Sequence, residues 1–301
     1  MNMPMHSQQP GREGPCKQTG WLRRLRTALV ASIAIAISVS GCCIHRVMLD
    51  LGSLEPQPAL KRLQVAHRGN IARPTLPDNS LAALRASLNA GVEFLEVDVR
   101  QADDGTLFLF HDGSFSRSNS TAPSNVRGVP VAQIASSLRS TITLDADHKE
   151  VIPTLADALS LIHQSSNSRN RSTLQLDLKG ESDALALAVL ELVQSRGLLP
   201  RVLVQLRTAE RAALVLAHYP RARILVRCKS HAQLTEALKH PVEVVELERW
   251  VSSDAIREAH ARGVLIAANV ATSCLDEPTA HEYLRSRGVD MIMTDVANRG
   301  L

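Results

Sequence analysis

Aromatic residues are scarce in this chain, where Phe, Trp and Tyr together make up 3% of the 301 residues. Proteins that bind single-stranded nucleic acid stack the bases on aromatic side chains, so this sequence offers little material for such a surface. Excess charge is also lacking once residues 1–41 are set aside. Those residues hold five basic side chains and one acidic one, and removing them from the totals of 34 and 30 leaves 29 of each. A neutral body predicts no nucleic-acid partner.

Cysteines are few as well, and their positions exclude a thiolate metal site in the body of the chain. Of the five, only the adjacent Cys42 and Cys43 stand close together, whereas zinc sites use cysteines separated by about two to four residues. Cys228 and Cys274 could pair in an oxidising compartment, although spacing alone does not show it. We expect buried free thiols at these two positions.

The N-terminal segment is typical of a secretory signal. Basic residues at 23, 24 and 26 precede an uncharged apolar run over 27–39, which ends in small residues before Cys42. Residues 39–42 resemble a bacterial lipobox, which implies cleavage before Cys42 and lipidation of that cysteine. We therefore expect a signal peptide over 1–41 and a lipid-anchored protein of the cell envelope. Its body would lie outside the cytoplasm, on the periplasmic side or at the cell surface.

Two alternatives to this lipoprotein assignment stay open. The apolar run as far as residue 44 approaches spanning length, so it could be an uncleaved transmembrane anchor, which would leave the body on the same side. The polar stretch before Trp21 is also long for a signal peptide, so translation could begin further along the chain.

Residues 42–61 form a predicted tether, because they contain Pro56 and Pro58 and show little hydrophobic periodicity. From 62 to 301 short apolar runs alternate with amphipathic patterns of helical period, which predicts one α/β domain. The predicted strands are 63–66, 94–99, 107–110, 173–178, 202–206, 223–227, 242–247, 264–268 and 290–293. The predicted helices are 80–90, 153–164, 182–196, 253–262 and 276–287.

Strands that alternate with helices indicate a parallel sheet built from βαβ units. Nine strand runs are one too many for an eight-stranded barrel, but residues 101–106 are too short for a parallel crossover and contain Asp104-Gly105, a hairpin signal. Eight parallel positions over about 240 residues then predict a TIM (β/α)8 barrel. An open doubly wound sheet is the alternative, but it would place a glycine-rich phosphate loop after the first strand, and residues 67–70 are not one.

Two carboxylates and two histidines lie at the ends of the first predicted strands. Glu96 and Asp98 stand two apart on one strand and therefore point to the same face, where they could bind one metal ion. His67 and His111 each follow a predicted strand, and two histidines at one rim could supply a general acid and a general base. This combination suits the cleavage of a phosphodiester.

The order of these motifs resembles the glycerophosphodiester phosphodiesterase family. The segments that carry the resemblance are 65–69, 77–80, 96–98, 104–105, 110–112, 177–179 and 294–295. The resemblance implies a barrel of the PLC-like phosphodiesterase type over 62–301. It also implies metal-dependent hydrolysis of glycerophosphodiesters to sn-glycerol 3-phosphate and an alcohol. A small-molecule glycerophosphodiester or lysophospholipid would be the substrate.

The resemblance also implies a role for each matching residue. Glu96, Asp98 and Asp177 would bind a divalent metal, Ca²⁺ or Mg²⁺, through hard oxygen atoms. His67 and His111 would be the acid and the base, in a reaction where the glycerol 2-hydroxyl attacks phosphorus and water opens the cyclic phosphate. The substrate-binding residues would be Arg68, Asn79 and Lys179.

Two departures from the family pattern bear on activity. The family usually has glutamate where Asp78 and Asp177 stand, and aspartate is shorter by one methylene group. Two other functions therefore stay open: a lysophospholipase D-like lipid phosphodiesterase, and a catalytically impaired binding lipoprotein. Retention of both histidines favours an enzyme, because a binding module needs no proton transfer.

Overall fold

A computed structural model describes residues 54–71, 76–115, 127–144, 150–165, 172–247, 252–273 and 275–297. The predicted signal peptide, the lipidation site Cys42 and residues 42–53 of the predicted tether lie outside this part of the chain, as does Cys274. Cys228 is described, and it is a buried free thiol.

Eight parallel strands close into a barrel. Together with one antiparallel strand, β3, they form a sheet of nine: β1 (Leu63–Ala66), β2 (Phe94–Gln101), β3 (Leu107–Leu109), β4 (Thr173–Leu178), β5 (Val202–Leu206), β6 (Arg223–Cys228), β7 (Val244–Leu247), β8 (Leu265–Asn269) and β9 (Met291–Thr294). Their order is β1-β9-β8-β7-β6-β5-β4-β2-β3, and β1 also pairs with β2, which closes the sheet. The predicted TIM barrel is confirmed.

The ninth strand is the hairpin partner that the short connection predicted. β3 runs antiparallel to β2, with Val99 opposite Leu109. Gly105 turns the chain with φ +83°, and the N–H of Ala102 donates to the carbonyl of Thr106 at 2.9 Å. Because β3 runs back along β2, the segment after β3 lies at the carboxyl end of the barrel.

Helices connect the strands. They are α1 (Leu81–Ala90), α2 (Ser136–Arg139), α3 (Leu155–Gln164), α4 (Asp183–Ser195), α5 (Ala209–His218), α6 (His231–Ala237), α7 (Ser253–Ala261) and α8 (Pro278–Arg285). Their ends follow local sequence. Ser80 caps α1 by accepting from the N–H of Ala83, and Gly91 ends it with φ +81°. Thr154 and Asp157 form a capping box at the start of α3.

The barrel interior changes character along the strands. Side chains alternate between the two faces of a strand, and one face forms an apolar cluster near the amino ends that includes Val65, Phe94, Leu203, Leu225, Val244, Ala267 and Met293. Two residues further along the same strands, on the same face, come His67, Glu96, Gln205, Arg227, Glu246, Asn269 and Asp295. The apolar layer therefore lies beneath a polar layer at the carboxyl ends of the strands. We call this end of the barrel the mouth, and it is where barrel enzymes have their active sites.

The opposite faces of the strands pack against the helices. Leu95, Leu174, Val204 and Ile224 are fully buried in this outer layer. Each such side chain contributes about 1.5–3 kcal/mol to folding through removal from water. This layer is the larger of the two cores and fixes the strand ends that carry the polar mouth.

The segment 112–138 after β3, in its described part, packs into a small apolar cluster of its own. Phe110 and Phe115 pack with ring centroids 5.2 Å apart, and the guanidinium of Arg139 lies 4.8 Å from the ring centroid of Phe108. Val131 is buried in the same cluster. These contacts fix the backbone on both sides of His111.

The described part of the predicted tether lies against the domain. Leu54 is buried in the larger core, and the N–H of Glu55 donates to Ser253 Oγ at 2.7 Å. The N–H of Lys61 donates to Asp290 Oδ1 at 2.8 Å, next to the start of β9. Within the described ranges, no helix is both long and apolar enough to cross a bilayer.

Candidate active site

Three buried carboxylates meet at the mouth of the barrel. Glu96 and Asp98 lie on β2, and Asp177 lies beside Asp98 on β4. One oxygen from each lies within 4.8 Å of the other two, and each residue is at most 5% exposed. The sequence predicted that Glu96 and Asp98 share a face, and the parallel pairing of β2 with β4 adds Asp177.

Cations and amide groups already surround these carboxylates. Lys179 Nζ lies 2.5 Å from Asp177 Oδ2 and 2.7 Å from Asp98 Oδ1. Asn79 forms two hydrogen bonds with Asp98. Its Nδ2 donates to Asp98 Oδ2 at 2.8 Å, and its Oδ1 accepts from the Asp98 N–H at 2.9 Å. The N–H of Arg68 donates to Glu96 Oε2 at 2.8 Å. The three acids are thus held in fixed orientations around one point.

The site gives its acidic groups different proton affinities. Burial raises the pKa of Glu96 well above its ordinary value, and the charges of Asp98 and Asp177 raise it further, against the effect of Lys179. Burial also acts to raise the pKa of Asp98, but Lys179, Arg68 and Asn79 outweigh it, so this pKa is lowered. Burial opposes the charge of Lys179, yet the neighbouring carboxylates raise its pKa. Lys179 is therefore a permanent cation between two acids.

The first loop reaches the carboxylates through an unusual backbone turn. Arg68 and Asn79 have φ of 51° and 60°, in the left-handed region, which asparagine tolerates but arginine rarely adopts. Between them Gly69 has φ +77°, and a Cβ there would lie 3.1 Å from Leu84 Cδ2. The turn directs the N–H of Arg68 at Glu96, while the N–H of Asn79 donates to the carbonyl of Arg68 at 2.9 Å. Such local strain is typical of functional sites.

The side chain of Arg68 lies along the edge of the carboxylate cluster. Its Nη1 donates to Asp78 Oδ2 at 3.0 Å, and Asp78 is held in turn by Asn70 Nδ2 at 2.7 Å. Its Nε lies 3.4 Å from Asp98 Oδ2, but this buried nitrogen makes no hydrogen bond within the described residues. The guanidinium is thus anchored at one end and offers a donor to a further acceptor at the other.

His67 follows β1 and is buried against Asp295, which follows β9. The Nδ1 of His67 lies 2.7 Å from Asp295 Oδ1, and Asp295 Oδ2 accepts from the N–H of Thr272 at 3.0 Å. Asp276 receives the N–H of Asp295 at 2.7 Å and also contacts His281. Because a carboxylate can only accept, Asp295 places the proton of His67 on Nδ1 and leaves Nε2 as the nitrogen that can exchange a proton.

His111 stands on the hairpin segment after β3 and is partly exposed. Its Nδ1 lies 2.7 Å from Asp112 Oδ1, so it has the same kind of carboxylate partner as His67. Arg100 fixes its backbone by donating from Nη2 to the carbonyl of His111 at 2.6 Å, and from Nε to that of Phe110 at 3.2 Å. Both histidines therefore lie at the carboxyl end of the barrel.

Sequence reasoning missed several members of this site. It gave no role in the site to Asp295 or Asp112, although each contacts a histidine. It also passed over Arg227 on β6 and Glu246 on β7, whose side chains pair at 2.9 Å beside Asp177. The same signal that found Glu96 was available for these two, since each is a charged residue in an apolar strand.

Comparison with known proteins gives a consistent result. Residues 67–299 match the model of the glycerophosphoryl diester phosphodiesterase family. Glycerophosphodiester phosphodiesterase 1 of Mus musculus is 25% identical over 236 residues, which are 67% of each protein. A glycerophosphoryl diester phosphodiesterase structure from Parabacteroides distasonis superposes with a TM-score of 0.64 at 19% identity, over 81% of this chain and 90% of that one.

One further solved structure contains a small molecule. An Oleispira antarctica phosphodiesterase, in complex with the product sn-glycerol-3-phosphate, superposes with a TM-score of 0.64 at 18% identity. The match covers 78% of this chain and 94% of that one. At such identities the two structural matches establish the likeness of the fold.

Proposed function

Since this chain belongs to the glycerophosphoryl diester phosphodiesterase family and is a phosphoric diester hydrolase, we propose that it cleaves glycerophosphodiesters to sn-glycerol 3-phosphate and an alcohol. The proposal rests on the group Glu96, Asp98 and Asp177, which lies among cations and whose Glu96 accepts from the N–H of Arg68, the residue directly after His67. The product complex of the Oleispira antarctica relative supports sn-glycerol 3-phosphate as the ligand.

The carboxylate group fits a divalent metal. Its three acids converge within 4.8 Å, and the ammonium of Lys179 already bridges two of them, so the geometry favours a cation. All-oxygen donors suit Ca²⁺ or Mg²⁺. Glu96, Asp98 and Asp177 would hold this ion, which when bound polarises phosphoryl oxygen and neutralises developing charge.

Arg68 and Lys179 would bind the phosphoryl group. A diester carries one negative charge, and charge-assisted hydrogen bonds from guanidinium or ammonium groups are the strong ones. The buried Nε of Arg68 lies 3.4 Å from Asp98 Oδ2 and makes no hydrogen bond within the described residues, so it has a donor to offer a phosphoryl oxygen. Asn79 contributes by orienting Asp98, which it holds through two hydrogen bonds.

His67 and His111 would move the protons. Each has Nδ1 bonded to a carboxylate, which sets the tautomer that exposes Nε2 to exchange. One histidine would accept the proton of the attacking glycerol 2-hydroxyl or water, and the other would donate to the departing alcohol oxygen. Each transfer contributes about 10²–10⁴ in rate.

Attachment to the envelope is a second part of the proposal. It is supported by the basic, apolar and small-residue pattern that ends at Cys42. Replacement Cys42→Ala should move the protein from the membrane fraction to the soluble fraction. Unchanged membrane attachment would favour the uncleaved anchor instead.

The experiment that tests the function is release of sn-glycerol 3-phosphate from glycerophosphocholine by the purified protein. Lysophosphatidylcholine serves as the comparison substrate. Faster turnover of glycerophosphocholine supports the proposal, whereas release of choline from the lysolipid alone would replace it with the lysophospholipase D-like activity. Binding of glycerol 3-phosphate with no turnover of either substrate would support the impaired binding protein.

A further inference from the structure

A buried ion pair occupies the side of the mouth that faces Asp177. Arg227 on β6 and Glu246 on β7 are partners in the parallel register. Arg227 Nε lies 2.9 Å from Glu246 Oε1, and Arg227 Nη2 lies 4.0 Å from Asp177 Oδ2. The Arg227 side chain is 17% exposed and that of Glu246 is 4% exposed. Glu246 is therefore buried within the barrel, and the guanidinium of Arg227 extends from it toward Asp177.

Stability does not explain this pair. Removing two charges from water is costly, and a well-packed apolar pair of similar volume is commonly as stable or more stable. The layer directly below is apolar, because Leu225 on β6 stands opposite Val244 on β7. Larger apolar side chains could have continued that layer upward. The ion pair instead places a guanidinium beside the carboxylates.

Arg227 is the third cation beside the three carboxylates. Arg68 lies on the β1 side, with Nε 3.4 Å from Asp98. Lys179 lies between Asp98 and Asp177. Arg227 lies on the β6 side, next to Asp177. A phosphoryl group bound beside Asp98 and Asp177 would thus have three positive groups near it.

We propose that Arg227 is a substrate-binding residue that contacts the phosphoryl group, and that Glu246 is a positioning residue that holds its guanidinium there. This inference rests on the proposed function, because it assumes a phosphoryl ligand at the site. It assigns the carboxylate of Glu246 a role that is separate from metal binding. The guanidinium would then assist Arg68 and Lys179 as a third cation.

The test uses variants that imitate a pair already present in the barrel. Gln175 on β4 donates from Nε2 to Gln205 Oε1 on β5 at 2.7 Å, so an inward amide pair fits between neighbouring strands. The double variant Arg227→Gln/Glu246→Gln removes both charges and leaves a comparable amide pair. Arg227→Lys keeps the charge and removes the planar fork.

A matched control lies at the other end of the same strand. Arg223, at the start of β6, pairs with Glu243 through Nε at 2.8 Å and Nη2 at 2.7 Å, far from the mouth. The control variant Arg223→Gln/Glu243→Gln removes an ion pair of the same residue types, although its side chains are more exposed, at 23% and 35%. Comparing the two double variants separates loss of a phosphate contact from loss of an arginine–glutamate pair elsewhere in the domain.

Calorimetry then measures two affinities for the full chain. The first is that of glycerol 3-phosphate for the protein saturated with Ca²⁺ or Mg²⁺, and the second is that of the metal ion for the metal-free protein. For the double variant Arg227→Gln/Glu246→Gln we expect glycerol 3-phosphate to bind about tenfold to a hundredfold more weakly, the usual effect of losing a hydrogen bond to a charged group. Its metal affinity should stay close to that of the wild type, because the variant removes one positive and one negative charge together. The affinity of Arg227→Lys for glycerol 3-phosphate should lie between those of the double variant and the wild type. The control variant should match the wild type in both affinities.

The reverse pattern would overturn the inference. Weaker metal binding with unchanged glycerol 3-phosphate affinity would mean that Arg227 serves only to orient Asp177. Unchanged values of both would mean that the pair has no part in binding. If the wild type neither binds glycerol 3-phosphate nor hydrolyses glycerophosphocholine, the proposed function fails first and this inference fails with it.

Discussion

Nδ1 of His67 lies 2.7 Å from Oδ1 of Asp295, although 228 positions separate the two residues along the chain. The contact exists because β1 pairs with β9 as the barrel closes, with Ala66 opposite Thr294. The residues that follow this pair are therefore neighbours at the mouth. Closure of the barrel thus places the carboxylate of Asp295 where it orients the ring of His67.

The first prediction concerns this carboxylate. Replacement Asp295→Asn should lower kcat by about 10²-fold or more, because the amide no longer fixes the proton of His67 on Nδ1. The thermal midpoint of the variant reports whether the fold is kept. A folded Asp295→Asn protein with wild-type kcat would contradict the orienting role.

The histidines themselves should be individually required. Both His67→Ala and His111→Ala should reduce turnover by about 10²–10⁴-fold, the value of one lost proton transfer. His218 lies at the exposed end of α5 and provides the matched control, since His218→Ala should retain wild-type turnover. Near wild-type activity in either site variant would remove that histidine from the mechanism.

The turn at Gly69 should be sensitive to a single methyl group. Gly69→Ala places a Cβ at φ +77° and 3.1 Å from Leu84, whereas Gly105→Ala places one at φ +83° with nothing within 4 Å. The backbone cost of about 1–2 kcal/mol is common to both, so Gly69→Ala should be the less stable in urea unfolding. It should also lose activity, because the turn directs Arg68 at Glu96. Equal stability and activity of the two variants would contradict this account.

The metal-free protein should become less stable as pH rises above the ordinary range of a glutamate. Burial and the charges of Asp98 and Asp177 raise the pKa of Glu96 above its ordinary value of 4.5. Between 4.5 and the raised pKa the folded chain holds a proton that the unfolded chain has released. The unfolding free energy therefore falls with rising pH, by up to about 1.4 kcal/mol per unit.

The control for this prediction is Glu96→Gln, which cannot titrate at that position. Urea unfolding from pH 5 upward, in the presence of chelator, should show a smaller decline for the variant than for the wild type. Parallel curves for the two proteins would show that Glu96 ionises normally in the folded state.

Local pattern predicted most of the fold. Alternation of apolar runs with helical stripes located all nine strands of the described chain, and Asp104-Gly105 identified the antiparallel hairpin. The shared orientation of Glu96 and Asp98 could be predicted for the same reason, since a period of two assigns both side chains to one face of the strand. These features depend on neighbouring residues only.

Contacts between residues far apart in the sequence could not be predicted from local pattern. Nothing near Asp295 in the sequence indicates His67, because their contact depends on closure of the barrel. The partnership of Arg227 and Glu246 depends on the register of β6 against β7, which a single sequence does not specify to one residue. The charged positions themselves could have been noted, because both stand in apolar strands.

The most direct test of the central claim is release of sn-glycerol 3-phosphate from glycerophosphocholine before and after chelation. We expect turnover that EDTA abolishes and that added Ca²⁺ or Mg²⁺ restores in the wild type, with no restoration in Asp98→Asn, which lacks one of the three carboxylates. Full activity in EDTA, or an Asp98→Asn variant that recovers like the wild type, would contradict a metal site at Glu96, Asp98 and Asp177.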